Sequence, residues 1–208
     1  MLHAEAIEPR TFSVLKQLME LPELKEFSLG GVTALSLQYG HRMSIDLDLF
    51  SNKFFENNII VDGLKNKFKD KFIVEEKPPH FGIFCYLNDV KVDIVHYRHP
   101  LIRSNLSVDD IRMFSIEDII AMKVQAILGR GKKKDFWDIA ELLIHFTISD
   151  FINYHKEKYV SQNLLITVPQ AITYFADAEE SEDPISLKNQ TWVSVKAFIN
   201  SKVREYLS

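Results

Sequence analysis

Only one cysteine, Cys85, occurs among the 208 residues, which excludes an internal disulfide framework and a cysteine-based zinc site. It lies in the apolar run Ile83-Phe84-Cys85-Tyr86-Leu87 and is expected to be a small buried residue. No stretch approaches the roughly 20 consecutive apolar residues of a membrane-spanning helix. The first residues, Met1-Leu2-His3-Ala4-Glu5, form neither a basic nor an apolar leader segment, so the expected location is cytoplasmic, with no membrane partner. Charge of one sign is also scarce: the formal net charge of -4 argues against broad electrostatic capture of nucleic acid, and such a partner would have to meet a local patch. Repeats, low-complexity tracts, the His-Glu-x-x-His pattern, the nucleophile elbow, the Walker A loop and the dinucleotide fingerprint are all missing. His80, His96, His99, His145 and His155 show no metal-ligand spacing. What is present is hydrophobic content of 46%, enough for a real core in one domain or a compact pair.

Apolar spacing predicts the elements. Val14, Leu15, Leu18 and Met19 recur at helical intervals over residues 10–20, and Pro22 marks the exit. Residues 26–29 read as a short strand. Gly30-Gly31 then lets the backbone turn sharply into a helix over 33–39, closed by Gly40 as a C-cap. Residues 44–50 follow as a strand with Ser44, Asp46, Asp48 and Phe50 on one face and Ile45, Leu47 and Leu49 on the other. Ile59, Ile60, Leu64 and Phe68 predict a helix over 57–71. Strands are expected over 72–74, 81–87 and 90–95, the last two joined at Asn88-Asp89 as a hairpin. Pro100 and Arg103-Ser104-Asn105 mark a boundary, and from Ser107 onward the pattern predicts helices and no strand. Ser115-Ile116-Glu117-Asp118 matches a capping box that opens a helix to Leu128, ended by Gly129 and Gly131. Further helices are expected over 134–146, twice within 150–178, and over 190–207. Residues 178–184 read as an exposed acidic turn.

Two carboxylates at i and i+2 of a strand sit about 7 Å apart. At the rim of a core their repulsion and desolvation are offset most simply by a shared cation. An isolated Asp-x-Asp is nearly expected by chance, and a solvated edge strand accounts for Asp46 and Asp48 just as well. Their context points further. Gly30-Gly31, a short helix, Gly40-His41-Arg42 and then the acidic strand form the layout of a site that holds a nucleoside triphosphate on divalent metal. A later strand, residues 90–95, carries Asp93 among β-branched residues. If the two strands are neighbours, three carboxylates converge, as two metal ions need in order to bridge a triphosphate and activate a hydroxyl. The alternative for Asp93 is a plain edge-strand position.

Lys123 projects into the apolar stripe of Ile119, Ile120 and Ile127. Two readings stay open: an anion, carboxylate or phosphate, opposite it, or a stem that snorkels to solvent. Arg130-Gly131-Lys132-Lys133-Lys134 concentrates cations that either bind polyphosphate or RNA or are simply solvated. Asp135 and Asp138 follow one turn apart. Asp135 is a candidate partner for Lys123, and both are equally candidates for helix N-terminal acids. His41-Arg42 reads as a phosphate contact or as late-turn helix cations.

Taken together, Gly30-Gly31-x-Thr33-Ala34-Leu35, Gly40-His41-Arg42-x-Ser44-x-Asp46-Leu47-Asp48-Leu49-Phe50, Val92-Asp93-Ile94 and Lys123-x-x-Ala126-x-x-x-Arg130-Gly131-x-x-Lys134-Asp135-x-x-Asp138 resemble the nucleotidyltransferase AbiEii/AbiGii toxin family, of the polymerase β-like superfamily. The likeness extends to residues 171–179 and the last helix. It implies an α+β fold, a small mixed β-sheet nucleotidyltransferase core flanked by helices and followed by a helical C-terminal part. The domains would cover 1–105 and 106–208, the second completing the active-site cleft. It further implies transfer of a nucleotide from an NTP, on two Mg2+ ions, to an acceptor hydroxyl with release of pyrophosphate. The acceptor implied is RNA, tRNA included, and the partner an antitoxin encoded nearby. The roles implied are metal binding by Asp46, Asp48 and Asp93, charge neutralisation by Lys123, and substrate contacts by Gly30, Gly31, Arg42, Lys134 and Asp135. Where the superfamily has Gly-Ser this chain has Gly30-Gly31, so backbone amides serve in place of the serine. The alternatives are a small-molecule or protein acceptor and an inactive nucleotide- or partner-binding module. An aspartyl-nucleophile phosphatase is set aside, because Gly40-His41-Arg42-Met43-Ser44 stands where that class has an apolar run.

Overall fold

The structure, a computed structural model, describes residues 1–74 and 79–208. Seven strands, β1 (Ser28–Leu29), β2 (Leu47–Ser51), β3 (Phe72–Val74), β4 (Gly82–Leu87), β5 (Val90–His96), β6 (Leu106–Val108) and β7 (Ile111–Met113), form one sheet in the order β3-β4-β5-β2-β1-β7-β6. The β2/β5 and β1/β7 pairs are parallel and the remaining neighbours antiparallel. The helices are α1 (Pro9–Met19), α2 (Gly31–Tyr39), α3 (Asn57–Phe68), α4 (Ile116–Gly129), α5 (Lys133–His145), α6 (Ile148–Lys158), α7 (Val168–Ile172) and α8 (Trp192–Leu207). This is an α+β architecture with a mixed sheet and a helical second half, as the sequence predicts. No helix among the described residues is long and apolar enough to cross a membrane.

The chain divides into two compact units. One comprises Met1–Gln38, Ser44–Pro100 and Ser104–Phe114 and carries the whole sheet. In it, strand alternation sends Ile83, Cys85 and Leu87 of β4, Val90, Val92 and Ile94 of β5, and Leu47 and Leu49 of β2 to the buried face. There α1 packs on β5 and α3 on β4 through Val14, Leu15, Leu18, Ile60 and Leu64. Burying each such side chain is worth about 1.5–3 kcal/mol, so the sandwich of helices and sheet holds β2 and β5 rigidly side by side. Asn88 and Asp89, both at positive φ (55° and 65°), make the tight β4–β5 turn.

Two expectations are corrected in this unit. The segment after Ser107 holds a second hairpin, β6–β7, turned by Asp109 and Asp110 at φ 51° and 61°. Strands of three residues are too short to show a period, and β7 owes its place to parallel pairing with the distant β1, Leu29 opposite Met113. The acidic strand also starts later than its alternation suggests. Residues 44–46 lie outside β2, because the entry to α1 takes their hydrogen bonds: Glu8 N–H donates to Ser44 O, Ser44 N–H to Ala6 O and Thr11 Oγ1 to Ile45 O. Ile45, expected on the packed face, is therefore 61% exposed.

The other unit, Tyr39–Met43, Leu101–Arg103 and Ser115–Ser208, is helical. Ser115 caps α4 by accepting from Asp118 N–H. The Asp118 carboxylate is fully buried and accepts from Ile102 N–H, Arg103 N–H, Ser115 Oγ and Lys158 Nζ (3.0, 3.1, 2.7 and 2.6 Å), so it pins residues 102–103 to α4. Thr147 with Asp150 and Thr191 with Ser194 form capping boxes on α6 and α8. Trp137 of α5 stacks on Trp192 of α8 at 5.8 Å. The acidic turn meets cations: Asp183 pairs with Lys133 at 2.8 Å and Glu179 with Lys196 at 2.7 Å.

Candidate active site

In the sheet unit, the parallel register sets Asp48 of β2 directly opposite Asp93 of β5. Their neighbours Leu47, Leu49, Val92 and Ile94 are buried on the other face, so both carboxylates emerge on the same side. Asp46 precedes β2 on a backbone held by Thr33 of α2, whose hydroxyl bonds to Ser44 Oγ at 2.8 Å and to Asp46 O. Lys91, two residues before Asp93 and on the same face, places its ammonium 2.9 Å from Asp93 Oδ2. Burial alone would lower its pKa. The hydrogen bond it donates to Asp93 and the charges of Asp93, Asp48 and Asp46 outweigh that and raise it. One ammonium thus feels all three carboxylates.

The glycine pair is fitted to this cluster. Gly30 N–H donates to Asp48 O at 3.0 Å, which spends that amide on the fold. Gly31, at φ +60°, opens α2, where a helix has no internal acceptor for its N–H. A Cβ on Gly31 would stand 3.3 Å from Asp48 Oδ2.

Whether these side chains suit a divalent cation can be judged from their atoms. Among the described residues no three His, Cys, Asp or Glu side chains close into a ready-made metal cage. Asp93 Oδ1, however, is buried without a hydrogen-bond partner, an expensive arrangement for a carboxylate oxygen unless a cation completes it. The donors are all hard oxygens. Mg2+ characteristically takes one or two carboxylates and fills its remaining positions with water and substrate phosphate, so no complete protein cage is required. The residues fit.

In the helical unit, Lys123 of α4 is 4% exposed and pairs with Asp138 at 2.6 Å and Asp135 at 3.2 Å, both on α5. This decides between the two readings of Lys123: carboxylates stand opposite it. Asp138 is the hub. It also accepts Arg42 Nε at 2.7 Å, Arg42 Nη2 at 3.0 Å and His41 Nε2 at 2.8 Å, all buried. Burial pushes the Asp138 carboxyl up, but the Arg42 and Lys123 charges and the bonds from His41 and Arg42 hold it well below the usual range. The same carboxylates raise Lys123 against its own desolvation. Asp135 additionally accepts Lys132 N–H at 3.3 Å, the α5 N-terminal role expected of it. Lys134 lies half-buried in the first turn of α5. Sequence reasoning overlooked Lys91 and underrated Asp138. The i+2 spacing of Lys91 to Asp93 was a usable signal for the first. For the second it was acidic residues at three-residue intervals, Asp135, Asp138 and Glu141, on an otherwise apolar helix.

Comparison with known proteins places the chain in a family and a fold. The family model described as nucleotidyl transferase AbiEii toxin, type IV TA system, matches residues 13–197. An uncharacterised protein of Aquifex aeolicus (strain VF5) is 31% identical over 200 residues, covering 93% of this chain and 94% of its own. A Helicobacter pylori structure described as a nucleotidyltransferase superposes with a TM-score of 0.57 at 19% identity, covering 97% of this chain and 99% of its own. The MenT4 nucleotidyltransferase toxin of Mycobacterium tuberculosis H37Rv superposes with a TM-score of 0.57 at 11% identity, covering 97% and 84%. At these identities the structures establish a shared fold.

Proposed function

The chain belongs to the AbiEii nucleotidyl transferase toxin family, and from that premise we propose that it transfers a nucleotide from an NTP to an acceptor hydroxyl on RNA, tRNA being the first candidate, with Mg2+ as cofactor and pyrophosphate as product. The observation that supports this most strongly is the register pairing of Asp48 with Asp93 beside Asp46, with Asp93 Oδ1 buried and unpartnered. Asp46 and Asp48 would hold two Mg2+ ions with the triphosphate, and Asp93 would complete the one nearer the acceptor. When bound, the cations supply Lewis acidity that offsets triphosphate charge and acidifies the acceptor hydroxyl. Asp93 takes the hydroxyl proton as its oxygen attacks the α-phosphorus in line. The bond from that phosphorus to the bridging oxygen breaks, and the β- and γ-phosphates leave together as pyrophosphate. Gly31 lets the backbone come close to the phosphates. Lys123, Arg42 and Asp135 enter this reading as positioning residues of the helical unit and Lys134 as its phosphate contact. The same family membership supports a cytoplasmic toxin with an antitoxin encoded nearby.

The test is incubation of the protein with α-labelled NTPs, Mg2+ and cellular RNA. Label is expected in RNA, and Asp46→Ala or Asp48→Ala should abolish it. Undiminished labelling by both variants would remove the mechanism, and label confined to protein or small-molecule fractions would move the acceptor to those classes.

A further inference from the structure

The acidic face of the sheet unit already holds a cation of the chain's own. Lys91 and Asp93 stand at i and i+2 of β5, so both side chains leave the same face of the strand. Lys91 Nζ donates to Asp93 Oδ2 at 2.9 Å, while Asp93 Oδ1 is buried without a hydrogen-bond partner. The two oxygens of one carboxylate are thus treated differently. Cross-strand register explains why Oδ1 stays open. On one side Asp93 faces Phe84 of β4, whose ring carries no donor, and on the other it faces Asp48 of β2, which brings negative charge. Donation from a lysine two residues away fixes the plane of the Asp93 carboxylate, since turning it would carry Oδ2 away from the ammonium. The Lys91 side chain is 46% exposed against 17% for Asp93, so replacing the lysine takes little from the sheet core.

We propose that Lys91 is a positioning residue that sets which metal the site takes: by holding Asp93 Oδ2 it leaves Oδ1 as the one oxygen of that carboxylate open to a cation, and so favours Mg2+ over Ca2+. Ca2+ accepts about six to eight oxygens in loose geometry and readily takes both oxygens of a carboxylate. Mg2+ needs a compact, near-octahedral shell, to which a carboxylate gives one oxygen while water and phosphate give the rest. A carboxylate with one oxygen engaged suits Mg2+ and handicaps Ca2+. To chelate through both oxygens, Ca2+ has to displace the ammonium, and a hydrogen bond between two charged groups is among the stronger ones. Partial exposure weakens the pair, so the expected bias is about fivefold, or about 1 kcal/mol. Oδ2 keeps a further lone-pair position beside Lys91, so the same carboxylate still has room for the acceptor proton.

This role rests on the metal-dependent transferase reading, and titration separates the two. Mg2+ and, separately, Ca2+ are titrated calorimetrically into the full chain after removal of metal with EDTA, for wild type, Lys91→Met and Lys91→Arg. Lys91→Met keeps the stem and removes the ammonium. The lost positive charge strengthens both divalent ions alike, so the ratio of Ca2+ to Mg2+ affinity isolates the grip on Oδ2. That ratio is expected to rise about fivefold in Lys91→Met and to stay within about twofold of wild type in Lys91→Arg, which keeps a cationic donor for Oδ2. Infrared difference spectra read the same change, because the antisymmetric and symmetric carboxylate stretches draw together when both oxygens chelate one ion. Lys91→Met in Ca2+ should gain this closer pair of bands, and the Lys91→Met, Asp93→Asn double variant should lose it. An unchanged affinity ratio in Lys91→Met, or a ratio raised equally in Lys91→Arg, would overturn the role and leave the transfer reaction standing. No uptake of either ion by any of the three proteins would remove the metal site itself, and this role with it.

Discussion

At Asp138 four donors from three side chains, His41 Nε2, Arg42 Nε and Nη2 and Lys123 Nζ, reach one buried carboxylate. Removing one member of a buried ion pair costs about 3–5 kcal/mol, because the partners stay desolvated and uncompensated. Asp138→Asn is therefore expected to lower the unfolding free energy of the helical unit, read from urea denaturation, by an amount in that range. A loss below about 1 kcal/mol, the scale of an exposed pair, would contradict it. The pH dependence has a definite sign. The folded Asp138 pKa lies below the unfolded value of about 3.9, so its stabilisation is complete above that pH and is lost only as pH falls further. A second titration works in a different window. His155, buried against Tyr159 with Nε2 3.0 Å from Gln125 Oε1, has its pKa lowered by desolvation. The unfolded chain binds that proton first, so stability is present above about pH 6.5 and declines as pH falls through it. His155→Gln should flatten the part of the chemical-denaturation midpoint that falls between about pH 6.5 and 5. An unchanged slope would show that another group carries it.

Among the elements, the turn from β1 into α2 shows how local backbone serves the site. Gly31 sits at φ +60°, and a Cβ there would meet Asp48 Oδ2 at 3.3 Å. The left-handed conformation costs a non-glycine residue about 1–2 kcal/mol, a modest effect on folding, while the carboxylate has to move. Gly31→Ala is expected to lose at least tenfold in transfer activity with a melting temperature only a few degrees lower. Full activity would place Gly31 outside the site. The same elements show what could be read in advance. β4, β5 and their Asn88-Asp89 turn were legible because six- and seven-residue strands display their alternation and flank a recognised turn. β6 and β7 were not, since three residues carry no period and β7 is placed by pairing with β1, far away in the sequence. Asp46, Asp48 and Asp93 stood out as carboxylates spaced for one face, yet only the parallel register brings the two strands together. Ile45 misled because backbone bonds of Ser44 to Ala6 and Glu8, and the Thr11 hydroxyl on Ile45 O, interrupt the strand before β2 begins.

For the molecule as a whole, a net charge of -4 means that an anionic substrate is not drawn in by a general field. Recognition has to come from local features, first among them a divalent cation on the acidic face. A triphosphate approaching Asp46, Asp48 and Asp93 without metal would meet three like charges, so nucleotide uptake and divalent cation binding should be one linked event. That linkage is what distinguishes a working transferase site from an acidic sheet edge. The direct measurement is isothermal titration of an NTP into the full chain, with Mg2+ and with EDTA, for wild type and Asp48→Ala. Uptake by wild type only in Mg2+, and by the variant in neither condition, is predicted. Equal uptake in EDTA, or by Asp48→Ala in Mg2+, would contradict the account.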